Sequence, residues 1–245
     1  MTHDWILVLG ANSDMAKATA RRFAQAGYNI YLASRNTEKL DKEVHHLELK
    51  YQIKAKARFF DALDFSSHAA FYAELDPKPA GVVLAFGMLG DQKQGQDDMQ
   101  HAQKLIDTNY TGAVSILETI AADFERRRHG FIVGISSVAG DRGRQSNYIY
   151  GSAKAGLSVY LSGLRHRLFP AGVQVLTIKP GFVATKMTAG LDLPQKLAAK
   201  PGEVAERIYK GVTKKKNTIY VKPIWRLIMW IIIHLPEWVF KRTKL

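Results

Sequence analysis

Apolar runs recur along the chain at residues 5–10, 29–34, 55–60, 81–86, 130–135, 173–179 and 218–221, bounded mostly by glycine, proline or polar turn residues. Most intervals between them are long enough for a helix and carry apolar residues at helical spacing, clearest in Ala155, Leu157, Leu161, Leu164 and Leu168. That stripe reads as core or subunit interface rather than as a site. Strands joined by helical crossovers must run parallel, since a tight turn can only reverse the chain. The pattern predicts an α/β fold: a doubly wound, seven-stranded parallel sheet of Rossmann-like form, with ligands meeting the carboxyl ends of the strands. With 245 residues and 47% hydrophobic content the chain can bury one sizeable core, and no linker interrupts residues 1–222. One domain is expected there.

Residues 223–245 break the pattern. Trp225, Leu227 to Ile233, Leu235, Trp238, Val239 and Phe240 are interleaved with Arg226, His234, Lys241, Arg242 and Lys244. A bilayer-spanning helix needs about 20 apolar residues, and His234 and Pro236 interrupt this run well before that. Tryptophans among apolar residues and cations suit a segment lying in the headgroup region of an anionic leaflet. The alternative is packing against the sheet edge or a second subunit.

Lysine and arginine number 35 against 22 acidic residues, a net charge of +13 that favours anionic partners such as phosphorylated cofactors, acidic lipids or nucleic acid. Nucleic acid is the weakest of these, because the charge is scattered through loops and tail without a binding motif. Arg126–Arg128 reads as a solvated helix end before Gly130. Cysteine is absent and the first apolar run is too short for a secretory signal, which points to a cytoplasmic protein, peripheral at the inner membrane face if the tail binds lipid. The histidines show no metal-ligand spacing, so no metal is expected. No Gly-x-Ser-x-Gly elbow supports a serine hydrolase.

The first strand leads into Gly10-Ala11-Asn12-Ser13-Asp14-Met15-Ala16 and then a helical stretch. A glycine there lets backbone approach a diphosphate, and the helix start offers unpaired N–H groups. Gly10, Asn12, Ser13, Asp14 and Met15 are therefore candidate dinucleotide contacts, although an aspartate beside a diphosphate is unfavourable unless it turns to cap the helix. The alternative is an ordinary strand-to-helix turn. After the second strand comes Ser34-Arg35-Asn36, with no carboxylate for a ribose 2′-hydroxyl. Arg35 can pair with a 2′-phosphate, so NADP(H) is preferred and NAD(H) remains possible. Asp61, followed by Ala62, can accept from an adenine amino group or cap a turn.

Tyr150 and Lys154 stand four residues apart, hence one turn apart on a helix face, and none of the other tyrosines has lysine at this spacing. A cation that favours phenolate would make the tyrosine a usable acid/base near neutral pH. Ser137 lies thirteen residues before Tyr150, and Asn109 twenty-eight before Ser137.

With these spacings the chain resembles the classical short-chain dehydrogenase/reductase family over nearly its whole length. The resemblance implies a catalytic tetrad of Asn109, Ser137, Tyr150 and Lys154. Tyr150 would protonate a carbonyl oxygen polarised by Ser137 as hydride arrives from a nicotinamide. Lys154 would hold the nicotinamide ribose, and Asn109 would retain a water on the proton path. Pro180, Gly181, Val183 and Thr185 match the segment that contacts the nicotinamide side of the cofactor. Two features depart from the family pattern. Of its Gly-x-x-x-Gly-x-Gly turn only Gly10 is kept, and Leu84-Ala85-Phe86-Gly87 stands where many members have Asn-Asn-Ala-Gly, leaving Ala85, Phe86 and Gly87 as cofactor contacts. Residues 60–64, 85–91 and 136–140, with the basic aromatic tail, are similar to one branch, the decaprenylphosphoryl-2-keto-erythro-pentose reductases. That branch is commonly associated with NADH, and it implies a 2-keto sugar on a polyprenyl phosphate, against a soluble ketone or 3-oxoacyl thioester. The competing reading from another class is a non-catalytic dinucleotide-binding scaffold. Thr188 to Lys200 match the family's substrate lid, and the resemblance also implies a homo-oligomer, dimer or tetramer.

Overall fold

The computed structural model describes residues 4–186 and 195–243, so most of the lid segment lies outside the described residues. Seven parallel strands form one sheet: β1 (Trp5–Leu9), β2 (Asn29–Ser34), β3 (Ala55–Phe59), β4 (Gly81–Leu84), β5 (Phe131–Ile135), β6 (Gln174–Lys179) and β7 (Thr218–Tyr220). Their order is β3-β2-β1-β4-β5-β6-β7, the doubly wound arrangement read from the sequence. The chain leaves β1 toward one edge and returns to build the other half from β4, so a crevice opens above the carboxyl ends of β1 and β4.

The helices are α1 (Asp14–Gln25), α2 (Glu38–Tyr51), α3 (His68–Ala73), α4 (Gln92–Asp97), α5 (Met99–Ile106), α6 (Gly112–Arg127), α7 (Tyr148–Leu168), α8 (Pro201–Thr213), α9 (Ile224–His234) and α10 (Glu237–Phe240). Buried on both faces, β1 and β4 are unbroken apolar runs, as a covered parallel sheet requires. One face packs on α1, α2 and α8 through Phe23, Leu40, Leu47 and Ile208; the other packs on α6 and α7 through Ile116, Phe124, Leu157 and Leu161. The leucine stripe of α7 is thus core. Helix α6 ends with Arg128 in the left-handed region (φ 52), and Arg126 and Arg127 pair with Asp123, consistent with a structural role for that basic run.

Close approach of α7 to the sheet sets the position of everything at its start. A side chain on Gly134 of β5 would lie 2.3 Å from a Leu161 methyl, so only glycine admits the helix at this distance. Gly134→Val is expected to lower the unfolding free energy by roughly 1–3 kcal/mol, the usual range for an overpacked core. Urea unfolding of the variant beside the parent measures it, and an unchanged midpoint would show that α7 can move away freely.

Candidate active site

The crevice above β1 and β4 is a cleft of about 300 Å³. Gly10 forms its floor at φ +82, and a Cβ there would lie 2.6 Å from the Phe86 backbone nitrogen. Two separate constraints, handedness and contact, therefore demand glycine. Asn12, Ser13, Met15, Arg35, Asp61, Ala62, Ala85, Phe86, Gly87, Asn109, Tyr150 and Lys154 line the same cleft, so most of the residues singled out in the sequence converge on it.

At the start of α1, Ser13 and not Asp14 is the cap: its hydroxyl accepts the Ala16 N–H at 3.2 Å. The Asp14 carboxylate turns elsewhere and accepts the Lys186 N–H at 2.9 Å. The carboxylate is thus turned away from the cleft wall and ties the segment after β6 to α1. Asn12 donates to Ser34 Oγ (2.6 Å) and to the Asn36 carbonyl (2.9 Å), fixing the loop that presents Arg35. The Asn12 Oδ1 atom is buried without a partner, an acceptor open to a ligand hydroxyl. Arg35 itself is exposed and has no ion-pair partner among the described residues. Asp61 accepts the Leu63 N–H at 3.0 Å, so it caps a turn while still facing the cleft. Buried His68 holds that loop in place, with one ring nitrogen on the Asp61 carbonyl (2.9 Å) and the other on Ser115 Oγ (2.8 Å).

Tyr150 and Lys154 occupy the first turns of α7, with the Lys154 Nζ 5.8 Å from the tyrosine ring centre. Lys154 is buried and donates to the Ile135 carbonyl at 3.1 Å, while Ser136 Oγ donates to the Lys154 carbonyl at 2.9 Å. These two bonds fasten the helix to the end of β5. Ser137 begins the next turn, and its hydroxyl accepts the Ala139 N–H at 3.1 Å and hydrogen-bonds Tyr150. Asn109 sits in a π turn, Asp107–Thr111, inserted between α5 and α6. Its amide donates to the Leu105 carbonyl (2.9 Å), which in a regular helix would receive the Asn109 backbone N–H, and to the Met88 carbonyl (2.7 Å). The remaining atom, Asn109 Oδ1, is buried and unpartnered. A Cβ built on Gly87 would lie 2.7 Å from that oxygen and 3.3 Å from Lys154 Nζ, so the three surround one small space.

Burial pushes the Tyr150 phenol up to about 12, and the hydrogen bond with Ser137 offsets this only in part. Burial likewise draws the Lys154 ammonium down to about 8. In the protein alone, dehydration sets the direction of the phenol's shift, and the contact that opposes it is the hydrogen bond with Ser137. A phenol that keeps its proton is suited to donate it to an oxygen on which negative charge develops.

Pro180, Gly181, Val183 and Thr185 do not line the cleft. The Pro180 carbonyl accepts the Val138 N–H at 3.0 Å, and Val183 forms a parallel bridge with Ala199. Gly181 lies under Trp225 of α9: a Cβ there would be 2.0 Å from the indole. Residues not foreseen on the wall include Ser34, Met88, Lys104 and Thr108. Ser34 and Met88 adjoin motifs already noted, whereas Lys104 faces the cleft from α5 and Thr108 from the π turn itself, for which the sequence carries no marker.

The family model for short chain dehydrogenases matches residues 4–196. An uncharacterized oxidoreductase of Mycobacterium tuberculosis is 37% identical over 240 residues, covering 97% of this chain and 96% of that one. Among solved structures, a short-chain dehydrogenase from Sphingobium yanoikuyae in complex with NADPH superimposes with a TM-score of 0.81 at 21% identity, covering 96% of this chain and 97% of that one. A 3-oxoacyl-[acyl-carrier protein] reductase from Brucella melitensis with bound NAD gives 0.79 at 19% identity, covering 89% of each.

The lowered pKa of Lys154 has a measurable consequence. The folded chain releases this proton near pH 8 and the unfolded chain near 10.5, so the cost of burying the ammonium is full below pH 8 and is relieved as pH rises toward 10.5. The parent is expected to gain stability over Lys154→Met between pH 8 and 10. Denaturant unfolding of the pair across that window tests it, and a constant difference would mean that Lys154 is not sheltered.

Proposed function

The chain belongs to the short-chain dehydrogenase family and is an oxidoreductase, and on that premise we propose that it reduces a carbonyl group at the expense of a nicotinamide dinucleotide, with Tyr150 as the proton donor. The observation that carries this reading is the meeting of Tyr150 with buried Lys154 and buried Asn109 at the end of the cleft, with half-buried Ser137 against the phenol. Both cleft ends fit the cofactor. The glycine floor at Gly10 and the start of α1 suit a diphosphate, and the unpartnered Asn12 oxygen suits a hydroxyl of the attached ribose.

A reduced nicotinamide, when bound, supplies hydride to the carbonyl carbon. Ser137 polarises the carbonyl oxygen by hydrogen bonding, and the Tyr150 hydroxyl gives that oxygen its proton. Lys154 holds the adjoining ribose hydroxyls and stabilises the phenolate left behind. Asn109 Oδ1 accepts from a water lying against Lys154, through which the proton is replaced. With its pKa raised by burial, Tyr150 keeps its proton and is in the form that can donate to the carbonyl oxygen.

Arg35, exposed and unpaired beside Asn12, supports NADP(H) as the preferred dinucleotide; relatives in fold carry NADPH in one case and NAD in another. For substrate, the likeness of residues 60–64, 85–91 and 136–140 to the keto-pentose reductase branch and the apolar tail beside the site support a 2-keto sugar on a polyprenyl phosphate. Likeness in fold to a 3-oxoacyl reductase supports the second reading, a soluble ketone or 3-oxoacyl thioester. An inactive scaffold fits less well, since it has no physical need for a dehydrated lysine beside a dehydrated phenol. The well-exposed Val159 and Phe169 on and just beyond α7 support a homo-oligomer. The lack of cysteine supports a cytoplasmic protein.

Tyr150→Phe is expected to reduce NADPH-dependent carbonyl reduction by roughly 10²–10⁴-fold, the range for removal of a general acid. Stopped assays with a membrane lipid extract and with a soluble ketone provide the measurement; equal rates in variant and parent would remove Tyr150 from the chemistry. Arg35→Ala is expected to weaken NADPH by about 10- to 100-fold, the worth of a charge-assisted hydrogen bond, and to leave NADH unchanged. Equilibrium titration with each dinucleotide decides this, and parallel losses for both would contradict a 2′-phosphate contact.

A further inference from the structure

Helix α9 is apolar around its whole circumference, which a surface helix is not unless a second face is also to be covered. Trp225, Met229 and Ile232 point inward and are buried against Val138, Phe182, Leu197 and Tyr220. Ile224, Leu227, Trp230 and Ile231 point outward and stand 45–60% exposed, and Trp238 of α10 is 62% exposed beside them. Cations rim this patch: Lys222, Arg226, Lys241 and Arg242 have no carboxylate partner among the described residues. From Lys214 onward the single acidic residue is Glu237, and Arg142 already engages it at 2.8 Å.

We propose that the outward face of α9 and α10 docks on an anionic lipid surface, and that docking turns the mouth beside Ser137 and Tyr150 toward the bilayer. Charge selects this occupant. A twofold contact with another copy would set Arg226 and its neighbours against their own images, whereas acidic headgroups neutralise them while the indoles and leucine enter the interface. Eleven residues span about 16 Å, half of a hydrocarbon core, so the helix lies in the interface and does not cross; among the described residues no helix is long and apolar enough to do so.

The orientation follows from what the inner face touches. The Trp225 indole N–H donates to the Leu197 carbonyl (3.1 Å) at the end of the lid segment, and the ring covers Gly181 and meets Phe182 edge-on at 5.4 Å. Arg142, in the stretch between Ser137 and Tyr150, donates to the Ile232 carbonyl (2.5 Å) and the Leu235 carbonyl (2.7 Å), closing the C-terminal end of α9. Its guanidinium also covers the Phe240 ring at 3.8 Å. The docked helix is thereby fixed to three segments around the catalytic pair. Calling that opening the substrate mouth rests on the reductase reading; the lipid contact itself does not.

The test floats the full chain with vesicles of phosphatidylcholine alone or mixed with phosphatidylglycerol. The parent is expected to float only with the mixed vesicles, and Arg226→Gln and Arg242→Gln each to lower partitioning roughly fivefold. A triple variant, Leu227→Ser with Trp230→Ser and Ile231→Ser, should lose flotation while its melting curve and solution mass stay those of the parent. Because the chain has no cysteine, a polarity-sensitive dye can be placed at Lys196→Cys near the end of the lid segment or at Lys42→Cys on α2. Mixed vesicles should blue-shift the first and leave the second unchanged. Failure of the parent to float, equal flotation with both vesicles, or a lower solution mass in the triple variant overturns the docking. Flotation without a shift at residue 196 overturns the orientation. A chain that floats yet reduces neither lipid-borne nor soluble carbonyls overturns the reductase reading alone.

Discussion

The two hydrogen bonds that fasten the start of α7 to the end of β5 set the geometry on which the rest of the site depends. Lys154 Nζ donates a hydrogen bond to the Ile135 carbonyl, and the Lys154 carbonyl accepts one from the Ser136 hydroxyl, so side chain and backbone of one residue are both held by consecutive residues of the strand end. Tyr150 is then one helical turn away from a fixed point. Ser137 follows directly in the chain, so phenol and hydroxyl meet without a flexible element between them. Gly140 and Gly151 complete this arrangement. A side chain at Gly140 would strike the Lys154 and Ala155 backbone, and one at Gly151 would strike the Ala139 carbonyl.

Such tight fastening has an electrostatic cost, visible in the opposite displacements of the two ionisable groups. The phenol is harder to ionise and the ammonium easier to discharge than either would be in water, both because of dehydration. A pair that is poised in this way holds its proton on the oxygen until charge appears on a neighbouring atom.

The parallel order, the glycine turn and the tyrosine–lysine pair were legible because each is encoded locally: alternation of apolar runs with helical stretches, one residue free to adopt positive φ, and a four-residue spacing. Strand ends differ by a residue or two, since pairing stops where partners part and not where apolarity stops; the run 81–86 pairs only through Leu84. Features made by distant segments were not legible. Asp14 meets the Lys186 N–H 172 residues away, and no local property of an aspartate after a serine announces that partner. The π turn at Asn109 has no compositional signature either, because it arises from packing of one helix against the 62–63 and 88 segments: Gly112 sits where a Cβ would be 2.2 Å from the Ala62 carbonyl. For the tail, the sequence presented membrane contact and internal packing as alternatives, while α9 has one face packed and one face open.

The fit of an indole over Gly181 links two positions 44 residues apart. Any side chain at 181 would need the ring at 225 to shrink or tilt, and a smaller ring at 225 would leave a void above the turn that follows β6. The two sites therefore form a single steric unit. Change in the C-terminal segment is thus constrained by the turn after β6, so a tail grafted from elsewhere would have to bring its matching turn with it.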